Sequence, residues 1–117
     1  MLKLSAVTLD CADPLELATF YQEITGLPAH PDSTGQFLWL TGPDGFSLGF
    51  QRVDGYQPPN WPGQGKPQQL HLDFTVADLD AAEALVLELG ATKPVVQPGD
   101  RYRVFIDPAG HPFCITL

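Results

Sequence analysis

His71 and Asp73 stand two residues apart in an alternating segment that runs from Leu70 to Val76. Period-two alternation sends successive side chains to opposite faces of a strand. If Leu72, Phe74 and Val76 pack beneath a helix, then His71, Asp73 and Thr75 share the other face. A histidine beside a carboxylate is an acid/base pair of the kind that lyases, isomerases and epimerases use. Cys114 lies in a second apolar stretch near the end of the chain. It reads either as a small buried residue or, if His71 is close enough to lower its pKa, as a nucleophile. The candidates for catalysis are therefore His71, Asp73 and Cys114. A buried carboxylate needs a partner, either a ligand or an arginine such as Arg101 or Arg103. His30, beside Pro31, and His111, in the Gly110-His111-Pro112 turn, read as exposed.

The elements that position these residues come in pairs. Leu9-Asp10-Cys11-Ala12-Asp13 resembles Phe74-Thr75-Val76-Ala77-Asp78, and Gly42-Pro43-Asp44-Gly45 resembles Asp107-Pro108-Ala109-Gly110; both pairs are offset by 65 residues. Two matches at one offset imply two copies of one unit. We place unit one at 1–52, a linker at 53–68 and unit two at 69–117, together a single domain over 1–117. In unit one, residues 4–11 alternate as a strand with Val7, Leu9 and Cys11 on one face. Asp13 then caps a helix with Pro14 in its first turn and Gly26 at its end. In unit two, Asp78 or Asp80 caps a helix carrying Ala81, Ala82, Leu85, Val86 and Leu89, which Gly90 stops. Strands are expected near 28–30, 36–41 and 46–52, and again near 93–97, 102–106 and 112–117. The Pro-x-Gly tetrapeptides read as hairpin turns.

The linker holds Pro58, Pro59, Pro62 and Pro67, so it is neither helix nor central strand. It also carries Tyr56 and Trp61. These aromatics suit a lid over a site, or an anchor for the crossover. The chain has 117 residues, with six Lys and Arg against fourteen Asp and Glu, a formal charge of −8. That balance repels phosphate backbones and anionic lipid, so neither nucleic acid nor a membrane is an expected partner. No apolar run approaches about 18 residues. The start, Met1 to Ser5, lacks a signal peptide's apolar run. The expected location is the cytoplasm, with both cysteines reduced.

A βαβββ unit repeated once, with Asp opening each helix and Asp-Pro-x-Gly before the last strand, resembles the vicinal-oxygen-chelate superfamily. This is the glyoxalase/bleomycin-resistance/extradiol-dioxygenase group. The stretches WPGQGKPQQLHLDFTVADLDAAEALVLELGA and RYRVFIDPAGHPFCITL look like its small bacterial glyoxalase-like domain proteins. The resemblance implies an α+β fold of two tandem βαβββ units, with curved mixed sheets around a cup and helices outside. It also implies frequent pairing into homodimers. Members that hold a metal place one ligand on the first strand and one on the last strand of each unit. Carried over, those positions are Ala6, Gly49, His71 and Cys114. Ala6 and Gly49 offer no side-chain ligand. Only His71 and Cys114 remain as candidates, and zinc would need Asp73 or a second chain as well. No cofactor is therefore expected, although a divalent metal stays open.

In such a cup, Ala6, Thr8 and Asp10 share the inward face with His71, Asp73 and Thr75. Ser47, Gly49, Gln51, Cys114 and Thr116 join them, while Phe37, Trp39, Tyr56, Trp61 and Tyr102 supply walls. The expected ligand-binding residues are Thr8, Asp10, Phe37, Trp39, Trp61, His71, Asp73, Tyr102 and Cys114. That mix suits a small organic ligand with a flat or apolar body and a few polar handles. The resemblance then suggests resistance or sequestration without the catalytic metal. The alternatives are an acid/base lyase or isomerase on His71 and Asp73, a metal-dependent glyoxalase- or dioxygenase-type enzyme, and an acidic homodimer with a structural role.

Overall fold

The computed structural model describes residues 1–117. The chain forms two compact units, Met1–Gln57 and Pro58–Leu117. No helix is long and apolar enough to cross a membrane.

In the first unit, β1 (Ala6–Cys11) leads into α1 (Pro14–Thr25), followed by β2 (Phe37–Thr41) and β3 (Ser47–Arg52). The sheet order is β1-β3-β2, with β1 parallel and β2 antiparallel to the central β3. Asp13 begins the helix as expected, its carboxylate accepting from the backbone N–H of Leu15 at 3.1 Å and Glu16 at 3.3 Å. Gly26 ends it at φ 72°, a left-handed conformation that glycine adopts without penalty. The helix presses Leu17, Phe20 and Tyr21 into the core, and the Tyr21 ring stacks on Phe50 of β3 with centroids 5.7 Å apart. Leu9, Cys11 and Leu48 are buried on the same side, which leaves Ala6, Thr8 and Asp10 exposed on the other.

The second unit repeats this order. Strand β4 (Leu72–Thr75), helix α2 (Leu79–Glu88), β5 (Tyr102–Ile106) and β6 (Pro112–Thr116) form a sheet ordered β4-β6-β5, again mixed. Asp78, not Asp80, is the helix cap; it accepts from the N–H of Asp80 at 3.0 Å and of Ala81 at 3.1 Å. Val86, Phe105, Phe113 and Ile115 form the core, with Phe74 edge-on to Phe113. The Pro-x-Gly turns form as read: the Gly45 N–H donates to the Gly42 carbonyl and the Gly110 N–H to the Asp107 carbonyl. Asp107 is buried, and its carboxylate accepts from the N–H of Ala109 and His111.

Two expected strands are absent. The segments at 28–30 and 93–97 reduce to single bridges, Ala29 with Leu40 and Thr92 with Ile106. Pro28, Pro31, Pro94 and Pro98 remove the N–H groups a ladder would need. In unit two a side chain takes the strand's place. The Gln97 amide donates to the Val104 carbonyl at 2.9 Å and accepts from the Val104 N–H at 2.9 Å. It thereby satisfies Val104 on the outer edge of β5, next to the Thr92–Ile106 backbone bridge.

Candidate functional site

Unit two contains a recess of about 400 Å³. Its floor is built by strand pairing. Asp73 of β4 lies opposite Cys114 of β6, Cys114 opposite Val104 of β5, and Thr116 opposite Tyr102. Alternation on β5 points Tyr102 and Val104 into the recess and Arg103 to the other face. There Arg103 meets Asp80 at 2.8 Å and Glu83 at 3.5 Å on α2, and the Asp80 hydrogen bond raises its pKa. Arg103 therefore serves the helix and is no partner for Asp73. The Tyr102 ring packs against Gly99, where a Cβ would overlap it. Trp61 reaches the recess from a loop pinched shut by the Asn60 N–H donating to the Lys66 carbonyl at 2.6 Å. Pro98 and Pro112 complete the apolar walls.

The polar end is the group read from the sequence. The His71 Nε2 lies 3.4 Å from Asp73 Oδ1, with both side chains exposed, at 43% and 61%. Cys114 is 8% exposed. Its thiol is pushed up from 9.0 to about 11, first by burial and then by the charge and hydrogen bond of Asp73. Thiolate activation by His71 is thus not what the geometry provides: the carboxylate next to the sulfur disfavours the anion. A nucleophile reading of Cys114 would need the thiolate that burial and Asp73 disfavour.

The ligand atoms of His71, Asp73 and Cys114 all lie within 4.8 Å of one another. A histidine nitrogen, a carboxylate oxygen and a sulfur are a donor set that a borderline-soft divalent ion such as zinc can accept, with a fourth position open. The four-position arrangement carried over from the family does not fit. Ala6 has no donor. At Gly49 a Cβ would stand 2.9 Å from both the Phe37 ring and the Thr8 hydroxyl, so a longer ligand there requires both to move.

The remaining expected residues fall in unit one. Ala6, Ser47, Gly49, Phe37 and Trp39 line a recess of about 210 Å³ that contains no titratable group. Trp39 stacks on His30 with centroids 4.5 Å apart, so His30 is partly covered rather than fully exposed. Its Nδ1 accepts from the Asp32 N–H at 3.1 Å. Thr8 lies beside this recess at Gly49, whereas Asp10 is exposed, paired in register with Gln51 and outside the lining. Tyr56 is half-buried and lines neither recess.

Sequence reading missed Gln68, Val104, Pro98 and Pro112. Val104 was recoverable, being two residues along the same strand face as Tyr102. Gln68 carries no such signal. It lines the unit-two recess, and its Oε1 is buried without a hydrogen-bond partner.

Two βαββ units, each a helix on a three-stranded mixed sheet with a single bridge where a further strand would lie, fit the vicinal-oxygen-chelate class of fold. A model of the glyoxalase-like domain matches residues 6–116, and the chain belongs to that family. Solved structures agree on the fold. A glyoxalase/bleomycin resistance protein/dioxygenase family enzyme from Burkholderia phytofirmans superposes with a TM-score of 0.77 at 19% identity, covering 97% of each chain. A glyoxalase-like structure from Bacillus cereus gives 0.71 at 16% identity over the whole of both chains. A mutant fosfomycin resistance protein from Listeria monocytogenes, in complex with Mn(II) and a dihydroxypropylphosphonic acid, gives 0.74 at 20% identity. That match covers 99% of this chain and 90% of the other. No curated protein matches the sequence significantly.

Proposed function

We propose that the chain binds a small, flat organic molecule in the unit-two recess, without a resident metal, in a resistance or sequestration role. One observation carries this reading: a recess of about 400 Å³ with aromatic and proline walls and polar groups at one end, including the orphaned Gln68 acceptor. A few polar handles in a largely apolar concavity is the usual build of a small-molecule site. The resistance role is supported by relatives on this fold, among them the fosfomycin resistance protein. The metal-free state is supported by the loss of donors at Ala6 and Gly49, which leaves at most half of the family's ligand positions. The two buried cysteines form no disulfide, which accords with a reducing cytoplasm. Pairing into a homodimer belongs to the same reading, supported by exposed Leu2, Leu4 and Val95, and sedimentation checks it.

A thermal-shift screen of aromatic compounds and antibiotics tests the binding claim. A specific binder raises the melting temperature as its concentration passes Kd. A flat response across saturating screens would overturn it.

A second reading rests on the 3.4 Å His71–Asp73 pair. Held this way, the imidazole and carboxylate can take and return a proton on a bound substrate, as an acid/base lyase or isomerase requires. His71→Ala would then abolish turnover while leaving the fold intact. Unchanged turnover in that variant would exclude this reading.

A further inference from the structure

We propose that the unit-two recess selects cationic, donor-bearing aromatic molecules, arylalkyl amines in chemical class, with the ammonium at Asp73 and Gln68 and the ring against Trp61 and Tyr102. This rests on the binding reading above and names its ligand class.

Charge is the first argument. Asp73 is the only acidic or basic side chain in the lining apart from His71 and the thiol of Cys114. No lysine or arginine lines the recess. Two cations nearby in sequence are engaged elsewhere. Arg103 is held on Asp80 and Glu83, and Lys93 lies 2.7 Å from Glu83. The chain as a whole carries −8. An anionic ligand entering this recess meets the Asp73 carboxylate and finds no lysine or arginine; the one basic group there, the His71 imidazole, already lies 3.4 Å from Asp73. A cation meets a favourable field from both the local group and the whole molecule.

Hydrogen bonding points the same way. The Gln68 Oε1 is buried and unpartnered, which is costly until a donor reaches it. The Thr116 hydroxyl gives its proton to the Arg101 carbonyl at 3.4 Å, which leaves its oxygen as an acceptor. The Cys114 thiol already bonds to Asp73. The Asp73 carboxylate, the Gln68 Oε1 and the Thr116 oxygen thus offer acceptors in the recess, beside the donors of Trp61, Tyr102 and His71. An ammonium supplies three donors and no acceptor, the complement of those three acceptors.

The walls account for the aromatic body. Trp61 and Tyr102 offer π faces that attract a cation as well as a flat ring. The volume of the recess suits a two-ring body with a short side chain.

Calorimetry on the full chain, with chelator present, tests the proposal with three probes that share one ring: tryptamine, the neutral alcohol tryptophol and the anionic indole-3-propionate. Tryptamine is expected to bind roughly threefold more tightly than tryptophol, the gain from one solvent-exposed charge contact, with the propionate weakest. Asp73→Asn should weaken tryptamine more than it weakens tryptophol and bring the two close together. Trp61→Ala should weaken both. Equal or tighter binding of the alcohol or the acid would overturn the cation preference while leaving a binding site in place. Absence of binding by all three in the millimolar range would overturn the binding reading with it.

Discussion

Asp73 and Cys114 face each other across the parallel β4–β6 pair, and the carboxylate takes the hydrogen bond of the thiol. This contact sets the chemistry of the polar end. Burial first, and this contact second, favour a proton on sulfur. The folded state binds that proton more tightly than the unfolded chain does. The resulting stability is intact below about pH 9 and is lost as pH rises towards 11. Alkylation of Cys114 by iodoacetamide, followed by peptide mass spectrometry, should therefore be slow at pH 8 and rise towards a midpoint near 11. Asp73→Asn should move that midpoint down. A midpoint at or below 9 in the native protein would contradict the assignment.

The donors His71, Asp73 and Cys114 all come from unit two, and the corresponding positions of unit one hold Ala6 and Gly49. The account expects untagged protein to retain well under stoichiometric metal after dialysis, with or without added zinc, nickel, manganese or iron. Elemental analysis reads this directly. Stoichiometric retention, with a thiolate-to-metal charge-transfer band in a cobalt(II) sample, would place Cys114 on a metal and turn the reading towards metal-assisted catalysis.

The Gln97 side chain stands in for a missing strand, bonded to both the N–H and the C=O of Val104. Val104 is 3% exposed and lines the recess floor. Gln97→Ala leaves two buried backbone groups without partners, a loss of about 2 kcal/mol. The melting temperature should fall by roughly 8 °C. Gln97→Glu should not restore it, because the carboxylate cannot donate to the Val104 carbonyl. A melting temperature unchanged in Gln97→Ala would show that water fills the role.

Much of this was legible because it is local. Asp13 and Asp78 cap helices through their own backbone neighbours, and the Pro-x-Gly turns close on themselves, so residue type and spacing suffice. Alternation likewise assigns His71, Asp73 and Thr116 to one side of the unit-two sheet. The failures are contacts made over distance. The strand expected at 93–97 looked apolar enough, but Pro94 and Pro98 prevent a ladder and Gln97 satisfies Val104 from its side chain. Arg103 was open to pairing with Asp73, yet its place between Tyr102 and Val104 turns it to Asp80 and Glu83. Gln68 lay in a segment read only as linker, and its buried acceptor depends on the chain folding back over the sheet.

The central claim is that the unit-two recess is where a small molecule binds. The most direct measurement is ¹H–¹⁵N correlation spectroscopy of the labelled full chain titrated with tryptamine. Saturable shifts are expected, confined to the amides around Trp61, Gln68, His71, Asp73, Tyr102 and Thr116 and to the Trp61 indole N–H. Shifts centred instead on Phe37 and Trp39, or none in the millimolar range, would contradict it.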